Sequence, residues 1–283
     1  MPPRSSPTAR QARLGTELRK LREASGLPAR AAGELLGGNQ AQISHIESGR
    51  WGVSAERVRR LATFYSATDT KLVDALCAMA EERGKGWWET YRGVLPAGFL
   101  NIAELEHHAR YLRAFQTLTV PGIFQTEEYA RTIFGSSIPA LPAGELDARI
   151  EHRLRRKVIF ERPAPPHFEA IIHEAALHVL YGGRRVARDQ LRYLLEVSEW
   201  PTVVVRVIAF ASEEFIGSAQ TMLYAGGVVP QLDTVQLDSV YGSVFLDTDA
   251  QLADYRATYD ALERVTLEVG ESRDVINRIA KEL

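Results

Sequence analysis

The sequence predicts an all-α helix-turn-helix N-terminal domain followed by an α+β domain with roughly five strands. Three observations carry that expectation. Over residues 13–82, apolar side chains recur at helical spacing between glycine stops and capping residues. A charged, glycine-containing stretch, "EERGKG", follows at residues 81–86. Beyond it the pattern changes, and short β-branched or alternating apolar runs, bounded by turn residues, interleave with longer helical segments.

Residues 1–12 carry no apolar periodicity and are expected to form a disordered arm. In "LGTELRKLREASG", Leu14, Leu18 and Leu21 fall at i, i+4 and i+7, one apolar stripe, and Gly26 stops the helix. "ARAAGELLGG" is a second short helix, with Pro28 near its start and Gly37-Gly38 at its end. Asn39 opens a third helix as its N-cap, with Gln42 at the reciprocal capping-box position, and "GRWG" ends it. Ser54 caps a fourth helix carrying Val58, Leu61, Ala62 and Tyr65, and "DTKLVDALCAMAEER" is a fifth. The helical domain is therefore expected over residues 13–82, with a linker at 83–86.

The second domain, 87–283, begins with the helical patterns "NIAELEHHARYLRAFQ", "QTEEYARTIF" and "AGELDARIEHRLRRKVIFE". "HFEAIIH", "PTVVVRVIAF", "AQTMLYA", "DTVQLD" and "YGSVFLD" read as strands. "RRVARDQLRYLLEVSE", "TDAQLADYRATYDALERVTLE" and "ESRDVINRIAKEL" are helical again. No internal repeat or low-complexity tract interrupts the chain.

With 45% hydrophobic and 25% charged residues, the 283-residue chain should pack as a soluble globule. No apolar run of about 18 residues is present to span a membrane, and the first residues lack the apolar core of a secretory signal. Cys77 is the only cysteine, which fits a reducing cytoplasm and rules out a multi-thiolate metal site. The net charge of −2 conceals an asymmetry: residues 1–65 hold 11 Lys/Arg against 5 Asp/Glu, and the remainder 23 against 31. A basic head on an acidic body suggests that the head meets a polyanion, although an unevenly charged solvated surface accounts for the numbers equally well.

The stretch "NQAQISHIESGR" shifts that balance. On a helix at about 100° per residue, Ile43 and Ile46 share one side, while Gln40, Ala41, Ser44 and His45 fall roughly opposite. The isoleucines can dock on other helices, leaving a face of small or hydrogen-bonding side chains, as entry into a DNA major groove requires. Gln40 can pair with adenine, His45 can donate to guanine or a phosphate, and Ala41 can meet a thymine methyl. Arg30, Ser44 and Arg50 are placed to hold the DNA backbone. A short helix, a glycine turn and a second short helix split in this way make a helix-turn-helix.

The run "LRKLREASGLPARAAGELLGGNQAQISHIESGRWGVSAERVRRLA" resembles the lambda-repressor/Cro-type (Xre) family. The matching residues are Leu27, Leu36-Gly37, Ile43-Ser44, Ile46-Glu47 and Gly49-Arg50. The resemblance implies that Gln40, Ala41 and His45 read bases and that Arg22 and Glu47 form an internal salt bridge. Two positions depart from the pattern. Pro28-Ala29 replaces a Ser-Gln or Thr-Gln that would touch phosphate, and Gly33 replaces an alanine, at a cost of about 0.5–1 kcal/mol in helix preference. In the second domain, "GWWETYRGVLPAGFLNIAELEHHARYLRAF", "VPGIFQTEEYAR", "RIEHRLRRK", "HEAALHVLYGG", "DQLRYLLE" and "ESRDVINRIA" resemble Scr1-type, antitoxin-like, WhiJ-like regulators of actinomycetes. That resemblance implies a repressor relieved or modulated by a small protein encoded by a neighbouring gene.

Catalytic and metal-binding readings are weaker. "HEAALH" places His173 and His178 at i, i+5, about 140° apart on a helix, so they cannot chelate one ion from a regular helix. Glu104 and His108 share a helix face, but an exposed side-chain pair is the commoner meaning. Ser218 lies in "GSAQ", not in a nucleophile elbow, and Glu127-Glu128 and Glu213-Glu214 read as solvated charge. "RLRRK", residues 153–157, could touch DNA or an acidic partner; a solvated helix side balanced by Glu145, Asp147 and Glu151 is favoured. Trp87, Trp88 and Tyr91 read as interdomain packing rather than a ligand cage. The expectation is a cytoplasmic, nucleoid-associated regulator that binds double-stranded DNA as a homodimer, uses no cofactor and performs no catalysis. The alternative is an antitoxin-like interaction module whose DNA binding is autoregulatory.

Overall fold

The computed structural model describes residues 7–82, 86–215, 219–239 and 242–283. They fall into two compact units, one formed by Met1–Glu89 with Val228–Leu232, the other by Thr90–Gly227 with Asp233–Leu283.

The first unit contains helices α1 (Ala9–Ala24), α2 (Ala29–Leu35), α3 (Gln40–Glu47), α4 (Ala55–Phe64) and α5 (Thr70–Glu81). α1 starts inside the stretch expected to be a disordered arm over 1–12. Thr8 accepts from the Gln11 backbone N–H and the Gln11 side chain accepts from that of Thr8, a complete capping box that satisfies two otherwise free donors. The arm is thus corrected from Thr8 onward, and residues 1–6 lie outside the described residues. Ser54 and Asp69 cap α4 and α5 through the backbone N–H groups of Arg57 and Leu72. Leu18, Ile43, Ile46, Val58, Leu61 and Leu76 form the core. Each such side chain contributes about 1.5–3 kcal/mol by leaving water.

Val229 is 3% exposed in that same core, Gln231 Nε2 donates to Asp69 at 2.9 Å, and Arg13 donates to the Gln231 carbonyl. The expected second domain, 87–283, is corrected accordingly: Val228–Leu232 belongs with the helices because Val229 finds its apolar neighbours there. Of the expected linker 83–86, residues 83–85 lie outside the described residues.

The second unit is built on a six-stranded mixed sheet: β1 (Tyr111–Gln116), β2 (His167–His173), β3 (Val203–Ile208), β4 (Met222–Gly226), β5 (Thr234–Ser239) and β6 (Gly242–Leu246). The order is β3-β2-β1-β4-β5-β6, parallel across β1, β2 and β3 and antiparallel from β1 through β4 and β5 to β6. The strand beyond the five expected is β1, whose residues read as helix in the sequence. The preceding helix α6 (Ala97–His108) ends as the backbone turns extended at Ala109, and "YLRAFQ" then lies centrally, hydrogen-bonded to β2 on one side and β4 on the other. Pairing on both edges outweighs the absence of β-branched residues.

Helices α7 (Glu127–Gly135), α8 (Glu145–Arg155), α9 (Glu174–His178), α10 (Gly183–Val197), α11 (Asp249–Glu263) and α12 (Val269–Glu282) complete the unit. Alternation along the strands sorts the core into two faces. Leu112, Ala114, Phe168, Ala170, Val205 and Val207 face Leu191 and Leu194 of α10 and Ile276 and Ile279 of α12. Phe115, Ile171, Met222, Tyr224 and Val235 face Leu252, Tyr259 and Leu262 of α11. The parallel strands bury one face fully and the other in part, where Arg113, Glu169 and Arg206 interrupt the apolar residues. α8 gives way after Arg155 to a 3-10 segment, Arg156–Glu161, where the sequence suggested one uninterrupted helix.

Candidate nucleic-acid interface

α2 and α3 are joined by Leu36, Gly37, Gly38 and Asn39. Asn39 caps α3, its side chain accepting from the Gln42 N–H at 3.1 Å. The reciprocal half of the expected capping box is not formed, because Gln42 lies back over Gly38. Ile43 and Ile46 are buried, while Gln40, Ala41 and Ser44 are exposed. His45 is half-buried, its ring stacked on Trp51 with centroids 5.1 Å apart, so its orientation is fixed by packing. Arg50 is exposed and, among the described residues, pairs with no carboxylate. Arg30 is exposed and reaches Glu34 at 3.0 Å, a surface pair weak enough to open for a phosphate. α2 begins at Pro28 with no capping side chain.

Behind α3, Arg22 grips Glu47 through two hydrogen bonds, Nε–Oε1 at 2.6 Å and Nη2–Oε2 at 2.9 Å, and donates a third to the Leu27 carbonyl at 2.9 Å. The side chains are only 11% and 9% exposed, so the pair links α1, the start of the α2 segment and the end of α3 across a poorly hydrated joint. The hydrogen bond to Glu47 raises the Arg22 pKa further, against burial. Burial first and the Glu47 charge second push Tyr65 up to about 12.

Gly33 explains one departure from the family pattern. A Cβ there would lie 2.5 Å from the Asn39 carbonyl carbon and 2.6 Å from its oxygen. In this chain α2 runs so close to the cap of α3 that alanine does not fit. Nothing local in the sequence reveals this tertiary approach. Arg60, which carries no local signal in the sequence, donates from its guanidinium to the Leu35 carbonyl at 3.4 Å, tacking α4 to the end of α2.

The alternative clusters in the second unit resolve differently. The His173 side chain accepts from the Ala175 N–H and caps α9, whereas His178 lies 3.6 Å from Glu174 and stacks on Phe210. Among the described residues no three or more His, Cys, Asp or Glu side chains are grouped to hold a metal ion. Ser218 lies outside the described residues. Within the "RLRRK" stretch only Arg155 lies on the solvated helix side that the sequence favours. Arg156 is 6% exposed and bound by a fork to Glu106, itself 1% exposed. Lys157 sits over the Tyr193 ring at 4.4 Å, and Arg153 turns into the interior.

A family model described as a domain of unknown function (DUF5753) matches residues 99–278, and one described as a helix-turn-helix domain matches residues 13–76. No curated protein and no solved structure matches the chain. The helix-turn-helix match suggests a DNA-binding regulator. Among the described residues no helix is long and apolar enough to cross a membrane.

Proposed function

The chain belongs to the DUF5753 family, and for this member with a helix-turn-helix head we propose sequence-specific binding of double-stranded DNA and regulation of transcription. The observation that carries the reading is the split of α3: its isoleucines are locked into the core while Gln40, Ala41 and Ser44 stand free on the opposite face. Gln40, Ala41 and His45 read bases; Arg30, Ser44 and Arg50 hold phosphates; Arg22 and Glu47 fix the angle of the reading helix. A single head would contact one half-site and few phosphates. Two heads on a homodimer raise the effective concentration of the second contact, so the working species is a homodimer. The resemblance to Xre-type and Scr1-type, WhiJ-like regulators supports a repressor of the cytoplasm and nucleoid, modulated by a small partner protein. In this reading the body performs no catalysis. The acidic balance beyond residue 65 suits a basic partner.

The test begins by selecting the operator from genomic fragments bound by the full chain. Gln40→Ala should then lose about 1–3 kcal/mol on that operator and relax one base position. Arg50→Ala should weaken all sequences alike and lower the salt slope by about 1. A Gln40→Ala protein that binds the operator like the parent would refute this docking. A monomeric mass for the full chain in solution would remove the dimer, and failure to co-purify a small protein from native extract would remove the partner.

A further inference from the structure

α3 ends in a turn that brings a second ring against His45. Gly49 takes a φ of 71°, reversing the chain directly after the helix. A Cβ there would also lie 2.8 Å from the Gln11 carbonyl carbon, so glycine is required by space as well as by conformation. The reversal leaves Arg50 exposed and returns Trp51 to the helix: the Trp51 N–H donates to the His45 carbonyl at 3.0 Å. The Ser48 hydroxyl donates to the same oxygen at 3.2 Å. Two residues beyond Trp51, Val53 is buried in the core of the head, and Ser54 then caps α4. Trp51 is therefore anchored from both sides.

The indole meets the imidazole in a stack, with centroids 5.1 Å apart and planes 28° from parallel. Trp51 also packs in part against the core of the head. Its Nε1 is buried and, among the described residues, has no hydrogen-bond partner, so the ring is not placed to donate to a phosphate. What it offers is a flat face, and His45 lies on that face. The contrast on α3 is Gln40, which is exposed, so a base that meets it also has to still it. Stilling one such side chain at an interface costs about two- to tenfold in affinity.

We infer that Trp51 is a specificity-determining positioning residue of the DNA contact: it touches no base itself but holds His45 in the orientation from which the imidazole donates to a base edge. This rests on the reading that α3 enters the major groove and His45 meets a base. Because the rings are stacked before DNA arrives, the cost of ordering His45 is met in the free protein. A fixed donor also cannot swing to follow a misplaced acceptor. Each base pair presents its own pattern of acceptors and donors in the major groove, so a fixed donor discriminates between them more sharply than a mobile one.

The test uses the full chain, its selected operator and a panel of operators carrying single base-pair changes. Affinities are measured for the parent, His45→Ala, Trp51→Leu and the double variant. His45→Ala should relax discrimination at one base pair. Trp51→Leu should relax that same base pair, weaken operator binding by about two- to tenfold, and leave binding to operators altered at that base pair unchanged. The double variant should lose no more than His45→Ala alone. Trp51→Phe, which keeps a ring face, should recover most of the discrimination. If Trp51→Leu does not fold, Trp51→Met takes its place. Equal weakening on every sequence, full additivity with His45→Ala, or discrimination like that of the parent in Trp51→Leu would overturn the assignment. If His45→Ala relaxes no base pair, the base-reading role of His45 falls and this assignment with it. If His45→Ala relaxes one and Trp51→Leu does not, only this assignment falls.

Discussion

In the head, Arg22 meets Glu47 with a two-pronged contact and donates from its third nitrogen to the Leu27 carbonyl. In the body, Arg156 meets Glu106 in the same forked way, but Arg153, three residues before it, has an amide oxygen and the face of Phe134 instead of a carboxylate in contact. The head thus uses a buried charge as a strut, matched one to one, behind a surface kept free for another molecule. The body carries a matched strut beside an arginine held by an amide oxygen and the face of Phe134. The difference separates two uses of buried charge. A paired group holds elements in place, whereas one with no carboxylate in contact relies on an amide oxygen and a ring face for its desolvated charge.

The largest effect should come from breaking the strut that is most deeply buried. Glu106→Ala leaves Arg156 uncompensated next to Arg153 and should cost about 3–5 kcal/mol, read as a fall in the melting temperature of the full chain. A negligible change would show that the body tolerates two arginines with no carboxylate in contact and would erase the contrast. Glu47→Ala should cost about 3 kcal/mol, the lower end of that range, because its pair keeps slightly more contact with water. It should also reduce operator binding, since α3 loses its anchor.

The next test asks whether the head is limited by close backbone contact rather than by charge. Gly33→Ala should improve helix preference by about 0.5–1 kcal/mol on local grounds. The approach to Asn39 should instead make it destabilising by about 1–3 kcal/mol, because that neighbour is backbone and cannot rotate away. A more stable Gly33→Ala protein would contradict the packing of α2 on α3.

The effect that vanishes at neutral pH is a slope. Burial, together with Arg156 and Arg153, lowers the His152 pKa to about 3, while an unfolded histidine titrates near 6.5. The folded-state value is depressed, so the unfolded chain binds the extra proton between these limits. The contribution of His152 is complete above about pH 6.5 and is lost as pH falls toward about 3, at no more than about 1.4 kcal/mol per pH unit. His152→Gln should flatten that part of the curve of melting temperature against pH. An unchanged acid limb would mean that neither burial nor the neighbouring Arg156 and Arg153 act on His152 as described.

The head was the more legible half in the sequence. Its helices are short and separated by glycines and caps, and the sorting of Ile43 and Ile46 from Gln40, Ala41 and Ser44 follows from helical spacing alone. The start of α1 is signalled there only by Thr8 with Gln11 three residues on, a capping pair without an apolar stripe beside it. β1 was harder: "YLRAFQ" has no β-branched residue, and only its two neighbouring strands make it extended. The interior placement of Arg153 and Arg156 was hidden altogether. A basic run on a helix reads as solvated, and its burial depends on Glu106, 50 positions away from Arg156, and on Gln125.

Because five residues from within the later part of the chain, Val228–Leu232, complete the first unit, the gene cannot be divided into head and body at one point. A fragment ending at Glu89 would fold, if at all, around the space left by Val229 and without the acceptor that Gln231 offers Arg13. Footprinting or two-hybrid results from such a fragment would report on a damaged head. Any chimera that exchanges heads between relatives has to carry Val228–Leu232 along with the first 89 residues, and recombination during evolution meets the same requirement.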